Sequence, residues 1–275
     1  MNAIQKISLH KVAKSTPEKY VLSINLRIDG LSFLIQNEQK ENIHLEHFEW
    51  LNVNDWNKTQ ENVSSLLMQH ELLKLNFPIV HVFIQSTDSF IIPTPLYSDT
   101  DQKLIYEKYL GHKDHAIFSN KFNEQNLDAY LIFGVKKQIA ENINQKWKKV
   151  SWSHYSLSYI DSCIQKGNHK QELFIKLQSN YFEVVAMNNK VLESHNYFRF
   201  SSAEEYLFNL LSYIRQIGFD IEKLHLHIEG KIIESSTLYQ LGLKYIPHIS
   251  FEAKEDKQPI ELFHDLIQAI DYANR

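Results

Sequence analysis

From Tyr20 to Ile28 the chain alternates, with Leu22, Ile24, Leu26 and Ile28 on one side and Ser23, Asn25 and Arg27 on the other. A period of two marks a half-buried strand. Asp29-Gly30 follows, a pair that tolerates positive φ and predicts a two-residue hairpin turn. A second strand is expected at Leu31–Ile35 and a third near Ile43–Trp50. Asn54 or Asp55 then caps a predicted helix carrying Val63, Leu66, Leu67, His70 and Leu73 at helical spacing. After Pro78, Ile79–Ile84 is a short apolar run of the kind buried in a sheet core.

The same order returns after Lys170. Leu173, Ile175 and Leu177 alternate, Ser179-Asn180 makes a turn, and Tyr181–Met187 forms the second strand. Asn188-Asn189 turns into a third strand, Val191–Phe200. Ser202 and Glu205 have capping-box spacing, and the helix they open bears Leu207, Leu210, Leu211, Ile214 and Ile217 before Gly218. Leu224–Ile228 is the next strand, and its His225–Ile228 stretch occupies the slot of His81–Ile84. Agreement of a whole element order is hard to produce by chance, so the halves read as a duplication.

Each half closes with alternating elements. The first adds a helix near Asp99–Leu110 ended by Gly111 and strands near Ala116–Phe122 and Asp128–Val135. A helix Lys136–Lys146, a strand Lys149–Ser153 and a helix Leu157–Lys166 ended by Gly167 complete it. The second adds a helix Lys231–Leu241 ended by Gly242, a strand Tyr245–Phe251 and a terminal helix. Pro259 suits the first turn of that last helix, whose buried stripe is Leu262, Phe263, Leu266, Ile267 and Ile270. The fold class is α/β, with duplicated βββαβαβα lobes. The expected division is an arm at 1–19, a first lobe at 20–168 and a second at 169–275.

Composition narrows the function classes. Hydrophobic residues are 43% and charged residues 23%, so the chain is globular rather than disordered. A formal charge of −4 and the lack of a basic run argue against dedicated nucleic-acid binding. One cysteine, Cys163, excludes an internal disulfide. No apolar run approaches the ~20 residues of a membrane span, and the first residues lack a signal-peptide core. The cytoplasm is the expected location.

Three segments, YVLSINLRIDGLSFLI at Tyr20–Ile35, FIIPTPLY at Phe90–Tyr97 and HLHIEG at His225–Gly230, make the chain similar to the domain-of-unknown-function family 3822 (DUF3822). The resemblance covers nearly everything from Tyr20 onward. It implies the actin-like ATPase (ribonuclease H-like) fold of actin, sugar kinases and heat-shock chaperones, and carries no function of its own.

That resemblance implies an ATP site between the lobes, lined by acidic, glycine-rich strand–turn–strand loops. Backbone N–H groups must reach phosphate oxygens without a Cβ in the way, and a carboxylate must hold Mg²⁺. The candidates here are Asp29, Gly30, Ser179, Asn180, Gly230 and Lys231, with Asp29 as the catalytic acid of an ATPase. Leu31-Ser32 follow Asp29-Gly30, the second turn has neither acid nor glycine, and Gly230 stands alone before Lys231. Of the 7 glycines, Gly111, Gly167, Gly218 and Gly242 fall at predicted helix ends, leaving Gly30, Gly134 and Gly230 for loops. The reading is a pseudo-ATPase with no cofactor, acting as a binding or scaffold module for an unknown protein partner. Ser98–Val135 is its first candidate contact surface. The alternative is a divergent ATPase or phosphotransferase using ATP with Mg²⁺.

The 14 histidines include His44 and His47, His112 and His115, and the His225-x-His227 pair, the basis of a third reading as a metal enzyme. Zinc asks for three or four converging ligands, and the pattern supplies no third, so no metal ligand is assigned. Cys163 reads as a small buried hydrophobe, and Trp147, Trp152, Tyr155 and Tyr159 as core. Glu252, Glu255 and Asp256 read as a solvated loop.

Overall fold

A computed structural model describes residues 5–8, 12–51, 53, 55–122, 127–230, 236–251 and 264–273. The chain divides into two compact units. One comprises Met1–Asn123, Asp128–Ser158 and Gln258–Arg275, and the other Glu124–Leu127 and Tyr159–Lys257.

The first unit is built on a six-stranded sheet. Its strands are β1 (Gln5–Ser8), β2 (Tyr20–Arg27), β3 (Gly30–Asn37), β4 (Asn42–Glu49), β5 (Ile79–Gln85) and β9 (Val150–His154), in the order β1-β4-β3-β2-β5-β9. β2, β3 and β4 form an antiparallel meander, while β5 and β9 join parallel to β2. The expected arm therefore contains an edge strand: Gln5 pairs with His47 and Ser8 with His44. Helix α1 (Trp56–Gln69) is capped by Asp55, whose carboxylate accepts the Asn57 N–H. With α3 (Lys137–Lys146) it covers the apolar face, burying Val63, Leu66, Leu67, Ile139 and Ile143 against Leu22, Ile24, Leu26 and Phe33.

Half-burial predicted a solvated second face for β2, but that face is covered. Ser23 and Asn25 are buried as well. Helix α7 (His264–Ala273) lies against β2 and β5, burying Leu266 and Ile270. The terminal helix, expected with the second lobe, thus belongs to the first unit. Pro259, Leu262 and Phe263 lie outside the described residues, as do Glu252, Glu255 and Asp256. Between β5 and α3 comes a small three-stranded sheet, β6 (Ser89–Pro93), β8 (Ala129–Lys136) and β7 (His115–Lys121), with α2 (Gln102–Leu110) packed on β7 and β8.

The second unit repeats the plan without the insertion. Strands β10 (Gln171–Leu177), β11 (Tyr181–Asn188), β12 (Val191–Arg199), β13 (His225–Gly230) and β14 (His248–Phe251) lie in the order β12-β11-β10-β13-β14, the arrangement of β4-β3-β2-β5-β9. Helix α5 (Ala203–Gln216) packs Tyr206, Leu210 and Ile214 onto Leu173, Ile175 and Leu177. Ser202 accepts the Glu205 N–H, but the Glu205 carboxylate reaches back to the N–H of Ser201 rather than Ser202. At the far end Gly218, at φ +72°, and Phe219 return hydrogen bonds to Arg215 and Ile214, a Schellman ending.

One helix and one turn depart from their expected positions. Helix α6 is Thr237–Tyr245, capped by Ser236, so Gly242 lies inside it rather than at its end. Gly167 follows α4 (Tyr155–Lys166) as expected, but without a positive φ. The left-handed pair of the second meander is Asn189-Lys190, one residue beyond the expected turn.

Candidate functional site

The first hairpin does not use Asp29-Gly30 as its turn. Arg27 pairs with Gly30, so Ile28-Asp29 make the turn and neither has positive φ. Gly30 answers a different demand. A Cβ there would lie 2.3 Å from the Phe48 carbonyl oxygen and 2.6 Å from an Arg27 nitrogen. The glycine lets β4 approach, and the Trp50 N–H then donates to the Asp29 carbonyl at 2.8 Å.

The Asp29 carboxylate is engaged locally. Arg27 Nε donates to Asp29 Oδ1 at 3.2 Å, and Arg27 Nη1 donates to Ser32 Oγ, also at 3.2 Å. Ser32 Oγ lies 2.9 Å from His47 Nδ1, and His47 Nε2 lies 3.6 Å from Glu49. The spacing of alternate residues hid this chain, because it runs across three strands whose register the sequence leaves open.

In the second unit Ser179-Asn180 is the turn between β10 and β11, as expected. The Asn180 carbonyl accepts the Phe200 N–H at 3.0 Å, matching Trp50 on Asp29. Gly230, at φ +110°, pairs with Leu177 and so lies at the same end of this sheet as the turn. A Cβ on Gly230 would meet the Leu177 carbonyl oxygen at 2.2 Å. Lys231 lies outside the described residues. Of the loop glycines, Gly30 and Gly230 thus answer to neighbouring backbone, and Gly134 makes room for the Tyr106 ring.

The histidines fall into separate groups. Glu46, buried, accepts from both His44 and His70, at 2.6 and 2.9 Å. His225 lies flat between His169 and His248, with ring centroids 3.6 and 4.9 Å away. Parallel stacking sets ring nitrogens side by side instead of converging. Among the described residues no group of three or more His, Cys, Asp or Glu is placed to hold a metal ion. His227 faces different partners, Ser250 at 2.6 Å and Glu172 at 3.2 Å. His112 and His115 stand 4.7 Å apart by centroid, and burial with His112 nearby lowers the His115 pKa.

The register also revises the duplication. Ser23 lies opposite His81 and Phe174 opposite His227, so His81 corresponds to His227 and not to His225. Each of these histidines bonds a serine on the next parallel strand: His81 to Ser151 and His227 to Ser250, both at 2.6 Å. Trp147, Trp152, Tyr155, Tyr159 and Cys163 are all buried, and burial holds the Cys163 thiol well above its ordinary range. Among the described residues no helix is long and apolar enough to cross a membrane.

Comparison with known proteins agrees with this architecture. A family model described as "Protein of unknown function (DUF3822)" matches residues 10–249. A Bacteroides thetaiotaomicron VPI-5482 protein "with actin-like ATPase fold and unknown function" is similar at a TM-score of 0.80 and 19% identity. That match covers 94% of this chain and 99% of the other. A chain of the PilM-PilN type IV pilus biogenesis complex is similar at a TM-score of 0.56 and 8% identity, over 92% and 98%. At these identities the likeness shows the fold, which is that of the actin-like ATPases. A search of curated proteins finds no match.

Proposed function

The chain belongs to the DUF3822 family, and we propose that it keeps the actin-like scaffold without its nucleotide chemistry and works in the cytoplasm as a binding module. One observation supports this above the rest. Asp29, the acid that would orient a metal, is held by the Arg27 guanidinium at 3.2 Å within its own hairpin. A cation already beside the carboxylate opposes Mg²⁺, which binds reluctantly even to bare carboxylates. Gly30 and Gly230 point the same way, since their missing Cβ atoms are required by Phe48 and Leu177.

Calorimetry with ATP or ADP and Mg²⁺ tests the reading. No heat of binding and no rise in melting temperature are expected. Nucleotide binding that Asp29→Ala removes would establish the alternative, a divergent ATPase or phosphotransferase.

The insertion after β5 is the surface proposed for a protein partner, with the function residing on added elements of a common scaffold. It exposes Leu96, Leu104 and Tyr109, large apolar side chains that water solvates poorly. Affinity capture with the native chain and with a Leu104→Asp/Tyr109→Asp variant should differ in the protein recovered. Identical recoveries would remove the insertion from consideration.

A further inference from the structure

We propose that Ser250, His227 and Glu172 form an acyl-transfer site in the second unit, with Ser250 as the nucleophile toward esters of small carboxylic acids. It stands apart from the nucleotide question, on geometry within one sheet. His227 sits on β13 between β10 and the edge strand β14. Its Nδ1 is 2.6 Å from Ser250 Oγ, and its Nε2 is 3.2 Å from Glu172 Oε1. Ser250 is exposed, His227 is partly exposed and Glu172 is fully buried.

This arrangement determines the tautomer. An ionised carboxylate only accepts hydrogen bonds, so Nε2 carries the proton and donates a hydrogen bond to Glu172. Nδ1 is left with its lone pair toward Ser250, where it can take the hydroxyl proton. The other Glu172 oxygen accepts the Asn168 N–H at 2.9 Å, and the imidazole lies flat against Phe174 with centroids 4.6 Å apart. Glu172 is a positioning residue: it orients the ring and stabilises the imidazolium that forms.

The step is balanced. Ser250 Oγ bonds to the acyl carbon as its proton passes to His227 Nδ1. The ester C–O bond then breaks, and the departing alkoxide takes that proton. Water, deprotonated by the same nitrogen, releases the carboxylic acid and restores the serine. Exposure on an edge strand suits a small acyl group arriving from solvent.

The first unit holds a natural control. His81 and Ser151 repeat the 2.6 Å pair, but the position two residues before Ser23, where β10 has Glu172, is Val21. The dyad there lacks its acid.

The test uses the whole chain with a fluorophosphonate probe, which phosphonylates an activated serine with loss of fluoride, and with p-nitrophenyl acetate. The modified residue is read by peptide mass spectrometry. Labelling at Ser250 should exceed that at Ser151 by at least about tenfold, a part of the roughly 10²–10⁴-fold that general-base assistance supplies. His227→Gln should remove the excess. Glu172→Gln, keeping an acceptor without its charge, should move the pH midpoint of labelling downward. Equal labelling of Ser151 and Ser250, no labelling of either, or a rate unchanged in His227→Gln would overturn the proposal. The Ser250-to-Ser151 ratio needs no variant, so a folding defect in one does not blunt the result.

Discussion

At the residue scale, Gly230 combines a left-handed φ of +110° with a Cβ position 2.2 Å from the Leu177 carbonyl oxygen. Any side chain there meets backbone, which cannot swing away. Gly230→Ala should lose about 2–4 kcal/mol in urea unfolding, from strain and overpacking together. Glu46 makes a second case. Its carboxylate bridges buried His44 and partly buried His70, so Glu46→Ala takes the shared acceptor from both imidazoles. A loss of about 1–3 kcal/mol is expected from the same measurement. The packing demand at these two positions was not visible in the sequence. Gly230 read as a loop glycine, and Glu46 lay unmarked within the third expected strand.

Among the elements, α5 shows what local sequence can carry. Its cap, its apolar stripe and its glycine ending were all legible because each depends on residues within five positions of one another. Ser202→Ala should cost about 1 kcal/mol, seen as a lower melting temperature. Helix α6 was legible only in part: Gly242 looked like a terminator but lies inside the helix, 3.3 Å from Ile249 by its absent Cβ. The strand Gln5–Ser8 escaped notice because its partner, β4, lies some forty residues away. Half-burial of β2 failed for a similar reason. The cover on its polar face is α7, from the other end of the chain.

For the whole molecule, stability should depend on pH in one direction through the histidine range. Desolvation lowers the pKa of His81, His115 and His225, with His169 and His248 adding to the effect at His225. A histidine whose folded pKa lies below its unfolded value binds protons more readily when unfolded. Its stabilising contribution is therefore present above the unfolded value near 6.5 and is lost as the pH falls through and below it. The urea midpoint should decline between pH 7.5 and 5.5, roughly the window in which imidazoles titrate. A flat profile there would contradict these shifts. Asp114, beside Lys136, and Asp220, beside Lys223, have lowered pKa values and add their losses only in more acidic solution.

Element order, the repetition of that order and the α/β class were all legible in the chain before folding, since periodicity, turn residues and caps are short-range properties. The two hairpin loops were legible as unequal, and they remain so: Ile28-Asp29 contains an acid, and Ser179-Asn180 contains none. Which residues meet was settled by the folded sheets. Strand register paired His81 with Ser151 and His227 with Ser250, set Glu172 behind one histidine and Val21 at the matching place for the other, and placed Arg27 on Asp29. Register comes from many weak side-chain fits summed over a sheet, and a shift of two residues leaves the alternation of a strand unchanged. That is why His81 looked equivalent to His225 until the strands were paired.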